Sequence, residues 1–244
     1  MVKTINIIGY DVFNDNISSI KINKSEKNVV NTINSHSYMT AKSDSIFKKA
    51  LSESDILLPD GSGMVLAAKL INKKSVKKIA GSDLHSYLLR ELDKVGGKCF
   101  YMGASQETLD KIHVNIEKEF PNIKVESYSP PFKAVFSDED NDTIISKIND
   151  FQPEVLFIGM TAPKQEKWLN EHKDRLHFNI ASSIGAVFDF YAGTVKRPAQ
   201  FWLDLHLEWL VRLISEPRRL WKRNFVSTPL FLMDLVTFKF NWKK

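Results

Sequence analysis

The chain has 244 residues, of which 43% are hydrophobic and 26% are charged, which is enough apolar material for one large domain with its own core. This composition excludes an intrinsically disordered protein. The single cysteine, Cys99, cannot form an internal disulfide, and its apolar neighbours predict a buried thiol in a reducing, cytoplasmic compartment.

Targeting and membrane-spanning segments are not predicted. The N-terminus lacks the long apolar core of a signal peptide, and no run approaches the ~20 apolar residues of a spanning helix. We therefore expect a protein that is neither secreted nor integral to a membrane.

The net charge of +5 is concentrated in the C-terminal tail. Residues 196–244 contain 10 Lys and Arg against 4 Asp and Glu, whereas residues 1–195 contain 24 against 25. The tail also holds four of the five tryptophans. Basic side chains mixed with aromatic rings fit an anionic membrane surface, and they also fit phosphate groups or single-stranded nucleic acid.

Apolar runs and helical patterns alternate from Thr4 to about Ala192. This alternation favours an α/β fold, Rossmann-like, with a mainly parallel sheet flanked by helices. We predict residues 1–195 as this domain and residues 196–244 as a basic helical appendage. The predicted strands are Thr4–Gly9, Val29–Asn34, Asp55–Leu58, Gly97–Gly103, Ile123–Tyr128, Pro153–Gly159 and, with a turn, Phe178–Gly193. The predicted helices are Ser37–Leu51, Met64–Ile71 and those that begin near Ser82, Ser105, Ser137 and Pro163.

A carboxylate stands at the end of one predicted strand, where the apolar run stops at Pro59-Asp60-Gly61. Ligands of open parallel sheets bind beyond the carboxyl ends of the strands, so Asp60 is a candidate general base. Thr32 and Asn34 are candidates for the rim of the same crevice. The alternative for Asp60 is a helix cap or an Asx turn, which Asp-Gly commonly forms.

Two further polar stretches follow predicted strands. Lys164, Gln165 and Glu166 cluster at a helix N-terminus, which offers free backbone N–H groups to a phosphate or a sugar hydroxyl; an exposed polar first turn is the alternative. Asp189 is an isolated carboxylate among aromatic residues, so it is either hydrogen-bonded or functional.

The acidic run Asp138–Asp142 suggests a metal site, but we predict a helix start. Ser137 can cap that helix, and acids complement the positive end of its dipole. The six histidines show no metal-ligand spacing. We therefore predict neither a metal nor a cofactor.

Arg212, Arg219 and Arg223 are spaced to share one helical face in the tail, with Lys222 beside them. Such a face suits an anion such as a diphosphate, although a solvated charged face is the usual alternative. The last stretch, Phe225–Trp242, is apolar, aromatic and too short to span a membrane, so we predict an interfacial helix.

Four motifs occur in a fixed order along the chain: Asp60-Gly61, Gly159-x-x-Ala-Pro-Lys-Gln-Glu-Lys-Trp168, Gly185-Ala-x-Phe-Asp-Phe-x-Ala-Gly-Thr194 and Glu208-Trp-Leu-x-Arg-Leu-x-x-Glu-Pro-x-Arg219. Together they closely resemble the bacterial WecG/TagA/CpsF glycosyltransferase family. The resemblance covers nearly the whole chain from Val29 to Arg223.

The resemblance implies an inverting enzyme that moves an N-acetylmannosamine-type sugar from a UDP donor to polyprenyl-diphosphate-linked N-acetylglucosamine without an essential metal. It implies a peripheral protein on the inner face of the cell membrane that serves cell-surface polysaccharide or teichoic-acid-type polymer synthesis. Asp60 matches the family's proposed base, and the substrate-binding positions of the family match Thr32, Asn34, Gln165, Arg212, Arg219 and either Lys222 or Arg223.

Three positions depart from the family pattern. His36 stands where Glu is common, and Lys78 and Lys222 stand in Arg positions; Lys supplies charge without a bidentate fork. The resemblance therefore leaves the donor sugar least secure, while the sequence leaves a homo-oligomer open. Nucleic acid is not an expected partner.

Two rival functions remain. Gly61-x-Gly63 after a strand, with Asp83 about 20 residues on, resembles a nicotinamide-binding fingerprint, but Leu66 replaces its third glycine. The second rival is a non-catalytic module that binds RNA or lipid through the basic aromatic tail.

Overall fold

The structure, a computed structural model, describes residues 2–195, 202, 210, 213–214 and 217–241, without the side chains of residues 218, 219, 240 and 241. The strands are β1 (Thr4–Ile7), β2 (Tyr10–Phe13), β3 (Asn28–Ile33), β4 (Ile56–Pro59), β5 (Lys98–Gly103), β6 (Lys124–Tyr128), β7 (Val155–Gly159) and β8 (Ile180–Ser183). The helices are α1 (Ser35–Ser43), α2 (Ser45–Ser52), α3 (Ser62–Ala67), α4 (Gly81–Asp93), α5 (Gln106–Glu119), α6 (Asp138–Phe151), α7 (Lys164–His172), α8 (Gly185–Tyr191), α9 (Pro217–Lys222) and α10 (Thr228–Asn241). Single π-helical turns follow α3 at Ala68–Asn72 and α9 at Arg223–Ser227.

Six parallel strands form the central sheet in the order β4-β3-β8-β7-β5-β6. Every residue of β4, β7 and β8 is buried, as expected for strands that helices cover on both faces. Helices α4, α5 and α8 pack on one face, and α6 and α7 pack on the other. The predicted Rossmann-like α/β fold with a parallel sheet is confirmed.

The first strand behaves differently from the prediction. Residues Thr4–Ile7 pair antiparallel with Tyr10–Phe13 and form a hairpin outside the parallel sheet. This hairpin, α1, α2, α3 and α10 share a separate apolar cluster. The hairpin therefore extends the core beside β4 and is not part of the α/β alternation.

Several predicted boundaries are wrong for local reasons. The predicted helix Ser37–Leu51 is broken at Asp44, which ends α1 and caps α2 by accepting the Phe47 N–H. Ala80, not Ser82, is the N-cap of α4, and Asp83 accepts the Ala80 N–H. The predicted turn after β8 is helix α8.

Other local predictions are confirmed. Ser137 caps α6 in a reciprocal arrangement with Asp140, so the acidic run is a helix start. Ser105 caps α5, and Cys99 is fully buried. Helix α7 begins directly after Pro163, which is its N-cap residue.

The tail is described only in part. Most of the helix predicted between Pro198 and Ser215 lies outside the described residues. The structure confirms a helix that begins at Pro217. Within the ranges given above, no helix combines the length and the apolar character needed to cross a membrane.

Candidate active site

The carboxyl ends of β3 and β4 bring three predicted site residues together. The Asp60 N–H donates to the carbonyl oxygen of Ile33 at 2.9 Å, which ties the end of β4 to the end of β3. Gly61 has a φ of +97°, a conformation that favours glycine, and a Cβ added there would lie 3.7 Å from the Cβ of Asn34. The half-buried Asp60 is therefore a close neighbour of Asn34 at this edge.

Asn34 is the N-cap of α1. Its side-chain oxygen accepts the N–H groups of His36 and Ser37, both at 3.0 Å. Its side-chain nitrogen has no hydrogen-bond partner among the described residues. Capping thus fixes the amide and leaves its N–H groups available to a ligand. Thr32, two residues earlier in β3, is half-buried and pairs with Leu58 of β4.

The connection from α3 to α4 returns to the same edge. The N–H of Ile79 donates to the carbonyl oxygen of Pro59 at 3.0 Å, one residue before Asp60. The exposed Lys78 therefore lies next to the end of β4. The start of α4 also closes on the loop after β8, since a Cβ on Gly81 would lie 3.0 Å from the Ile184 side chain.

Gln165 connects the loops that follow β7 and β8. Its side-chain oxygen accepts the N–H groups of Met160 and Gly185, both at 3.1 Å, and its nitrogen donates to Glu166 at 2.9 Å. Only 5% of Gln165 is exposed. Gly185 is required here, because a Cβ would lie 2.3 Å from the Met160 carbonyl oxygen. The exposed polar first turn, one of the two alternatives for this helix start, does not hold for Gln165, which is buried and connects two loops.

The tail reaches this edge through His36. The His36 Nδ1 lies 2.8 Å from the hydroxyl oxygen of Ser227. Burial lowers the pKa of His36, and the charges of Arg223 and Lys222 lower it further. These two cations are therefore close to the start of α1, two residues beyond Asn34.

The other two predicted arginines cannot be placed. Arg212 lies outside the described residues, and Arg219 lies in α9 without a described side chain. The row of three guanidiniums on one face stays a prediction.

Helix α10 holds the tail against the domain. Phe231 and Leu235 are buried in the cluster of the hairpin, α1 and α3. Lys42 of α1 pairs with Asp234 at 2.5 Å. The helix predicted as interfacial is thus docked by one face, and its exposed apolar residues are Leu230, Leu232, Met233 and Val236.

The features of the nicotinamide fingerprint have structural roles. A Cβ on Gly63 would lie 2.0 Å from the Ser35 hydroxyl oxygen and 3.3 Å from the Phe231 ring, so this glycine permits helix packing. The Asp83 carboxylate accepts the Ala80 N–H at 2.9 Å and caps α4. Neither residue is arranged for a dinucleotide.

No group of three or more His, Cys, Asp or Glu side chains is placed to hold a metal ion in the described part of the chain. Asp189 lies half-buried on α8, whose Val187 and Phe188 pack into the core. After Asp60 it is the second candidate carboxylate, and it lies on the helix that begins at Gly185, whose N–H donates to Gln165.

The model of the glycosyl transferase WecG/TagA/CpsF family matches residues 4–244. This chain belongs to that family. A relative in Bacillus spizizenii, named N-acetylglucosaminyldiphosphoundecaprenol N-acetyl-beta-D-mannosaminyltransferase, is 31% identical over 186 residues, which cover 76% of this chain and 70% of the relative. A relative of the same name in Bacillus subtilis is 30% identical over 208 residues, or 85% of this chain and 78% of the relative. One in Staphylococcus aureus is 24% identical over 250 residues, or 98% and 95%.

Family membership makes the chain a glycosyltransferase. Two features of its candidate site were not predicted from the sequence. Glu166 is buried under the helix mouth, although charged residues at a helix start are usually solvated. The one sequence signal for the burial of Glu166 is that it precedes the buried Leu169 by three residues, which puts both on the same face of the helix. The contact between His36 and Ser227 spans 191 residues and has no sequence signal.

Proposed function

We propose that this glycosyltransferase moves an N-acetylmannosamine-type sugar from a UDP donor to N-acetylglucosamine on a polyprenyl diphosphate, with inversion. The names of the relatives support this donor sugar and acceptor. The observation that supports the site is the backbone hydrogen bond from the Asp60 N–H to the Ile33 carbonyl oxygen, because it fixes Asp60 next to the end of β3, where Asn34 follows, at the edge of the sheet where ligands of parallel sheets bind.

Asp60 is the general base in this proposal. It takes the proton of the acceptor hydroxyl, whose oxygen forms the new bond to C1 of the donor sugar. The bond from C1 to the UDP oxygen breaks at the same time, and its electron pair leaves with the diphosphate. A single displacement of this kind inverts the configuration at C1.

The leaving diphosphate needs positive charge in place of a metal ion. Lys222 and Arg223, which lie close to His36, supply part of it, and Lys78, next to the residue that bonds to the end of β4, supplies another part. We assign Arg212 and Arg219 to the same clamp. Thr32 and Asn34 line the sugar pocket, and Gln165 shapes it by holding Met160 and Gly185.

A lipid-linked acceptor requires the enzyme to work at a membrane surface. We assign this contact to residues 196–244, the proposed appendage, on the inner face of the cell membrane. The exposed apolar side chains of α10 support that assignment.

The test is transfer itself. The chain is incubated with a panel of UDP-N-acetylhexosamines and a lipid-linked N-acetylglucosamine diphosphate, and the product mass is read. We expect a product one N-acetylhexosamine heavier with the N-acetylmannosamine donor. Asp60→Asn should lower turnover by ~10²–10⁴ while UDP binding persists, because only the proton acceptor is lost.

Asp174→Asn is the matched control, because Asp174 is exposed in the 3₁₀ turn between α7 and β8, remote from the strand ends that form the crevice. It should keep full turnover. Near-normal turnover of Asp60→Asn would contradict the assigned base and transfer that role to Asp189. Binding to liposomes or RNA without any sugar transfer would favour the non-catalytic rival.

A further inference from the structure

Glu166 occupies an unusual position beneath the crevice. It lies in the first turn of α7 and is 5% exposed. One carboxyl oxygen accepts the N–H of Gln165 at 2.9 Å, and the other is buried without any hydrogen-bond partner in the described structure. An ionised carboxylate in this place would be a buried charge with one side-chain donor, which is costly.

The orientation of the Gln165 amide follows from its neighbours. Two backbone N–H groups, of Met160 and Gly185, point at the same side-chain atom, so that atom must be the oxygen. The amide nitrogen must then face Glu166, and Glu166 must accept. Any change that removes this acceptor frees the amide to turn away from both loops.

Other buried oxygens without partners lie on the same side of the sheet. Ser183 of β8 points to the face that Ala181 shares with α7, and Asn31 of β3 points to the face of Val29. The side-chain oxygens of Ser183 and Asn31 are both buried and unpartnered in the described structure. The Asn31 oxygen can only accept, whereas the Ser183 hydroxyl can donate or accept, and neither atom has a hydrogen bond to Glu166 in the described structure.

We propose that Glu166 is a positioning residue that works as a neutral carboxylic acid: one oxygen accepts from the Gln165 amide and fixes it, and the proton on the other oxygen removes a charge from a buried position that has no second hydrogen bond in the described structure. Through Gln165 it locks the loops after β7 and β8 at the crevice. It touches neither the substrate nor the reacting atoms.

The surrounding charges are consistent with a neutral acid. Strands β3, β7 and β8 contain no ionisable side chain. On the packed helices, Asp44 pairs with Lys167, and Glu53 lies 3.4 Å from the ammonium nitrogen of Lys173. His172, at the other end of α7, has a pKa lowered chiefly by burial, and Lys164 has one lowered by burial. Burial raises the pKa of Glu166 from its ordinary 4.5 to about 7.

The raised pKa of Glu166 determines how the stability of the fold changes with pH. Between pH 4.5 and about 7 the folded protein keeps a proton on Glu166 that the unfolded chain releases. Stability therefore falls as the pH rises through this window, and the loss is complete above it. Glu166→Gln keeps an acceptor and a donor but cannot ionise, so it should lack this loss.

The experiment compares the wild-type chain with Glu166→Gln, Glu166→Ala and the matched control Glu171→Gln, an exposed glutamate of the same helix. Infrared spectra at pH 6 should show a protonated-carboxyl band in the wild type and in the control, and not in Glu166→Gln. The melting temperature of Glu166→Gln should exceed that of the wild type at pH 8.5 and converge with it near pH 4.5. The control should follow the wild type throughout.

Hydrogen exchange tests the positioning role directly. The amides of Met160 and Gly185 should exchange at least about tenfold faster in Glu166→Ala, which loses one hydrogen-bond acceptor, and at the wild-type rate in Glu166→Gln. A spectrum of Glu166→Gln that retains the full carboxyl band would overturn the proposal. So would a Glu166→Gln variant that is less stable than the wild type at every pH. If Glu166→Ala does not fold, the glutamine variant decides.

The effect on turnover rests on the proposed function. Glu166→Gln should keep the wild-type kcat at pH 6.5 within about threefold, whereas Glu166→Ala should lose at least about tenfold in kcat/KM. Absence of sugar transfer by the wild-type chain would reject the proposed function only. The spectra, melting curves and exchange rates would still decide the role of Glu166.

Discussion

Asn34 caps α1, and we also propose that it binds the ligand; a single substitution can separate these two roles. Asn34→Asp keeps the oxygen that accepts the His36 and Ser37 N–H groups, so α1 should remain capped. The variant removes the N–H groups beside Asp60 and adds a like charge there. We expect kcat/KM to fall by at least about tenfold, which corresponds to the loss of roughly one hydrogen bond to the ligand. The melting temperature should not change.

Asn34→Ala is the companion variant, because it removes the cap as well. It should lower the free energy of unfolding by the ~1 kcal/mol typical of a lost N-cap, and with it the melting temperature, and it should also lower kcat/KM. Unfolding curves and steady-state rates measured side by side distinguish the two variants. Equal kcat/KM for Asn34→Asp and the wild type would show that Asn34 only caps the helix.

At the residue scale, the sequence predicts those positions whose cause is local. Asp60 follows an apolar run and precedes a glycine, so its place at a strand end is visible in the sequence and is confirmed. The partners of Gln165 are not visible, because Met160 and Gly185 come from different loops. The burial of Glu166 depends on how α7 lies on β8, which only the folded chain determines.

At the scale of elements, α10 shows how an apolar helix can serve two surfaces. Phe231 is fully buried against Tyr38, with ring centroids 5.3 Å apart, and sits over Gly63. Phe231→Ala should weaken docking of the tail by ~3–5 kcal/mol, because it leaves a cavity between α10, α1 and α3. Hydrogen exchange of the α10 amides measures this loss locally, and thermal unfolding measures it globally.

Met233→Ala is the control for that substitution, since Met233 is 65% exposed on the same helix. It should change the stability by less than about 0.5 kcal/mol. If the α10 amides of Phe231→Ala remain as protected as those of the wild type, the docking of the tail does not depend on this ring.

Sequence patterns predict most of the elements but not the hairpin β1-β2 or the break at Asp44. Thr4–Ile7 is too short for its pattern to distinguish a parallel strand from one arm of a hairpin. The break between α1 and α2 falls within a continuous helical pattern, because Asp44 can both end one helix and cap the next. Docking of α10 was hidden for a related reason: apolar residues surround the helix, so no single face stands out.

At the scale of the whole molecule, the parallel sheet follows from the alternation of β and α elements, but the order of its strands and the position of the tail do not. Strands β3 and β4 lie together at one side of the sheet, and α10 packs beside them through α1 and α3. The tail is thus brought to the same side of the molecule as Asp60 and Asn34. If the proposed crevice and the proposed membrane contact share this side, a lipid-linked sugar can reach the proposed base Asp60 while its lipid stays in the bilayer.

The exposed face of α10 tests this arrangement. Met233 and Val236 are three residues apart on that helix and are 65% and 55% exposed, so replacing both with Ser removes apolar surface that the fold does not use. Burial of such a side chain in a membrane interface is worth ~1–2 kcal/mol, so partitioning onto anionic liposomes should fall by at least about tenfold.

Val114→Ser on α5, at an equally exposed position of the opposite face of the sheet, should bind liposomes as the wild type does. Cosedimentation at low and high salt makes the measurement, and raised salt should weaken binding of all the variants through the basic tail. If the double variant and the wild type partition equally while both remain folded, α10 does not contact the membrane, and the acceptor must approach from another side.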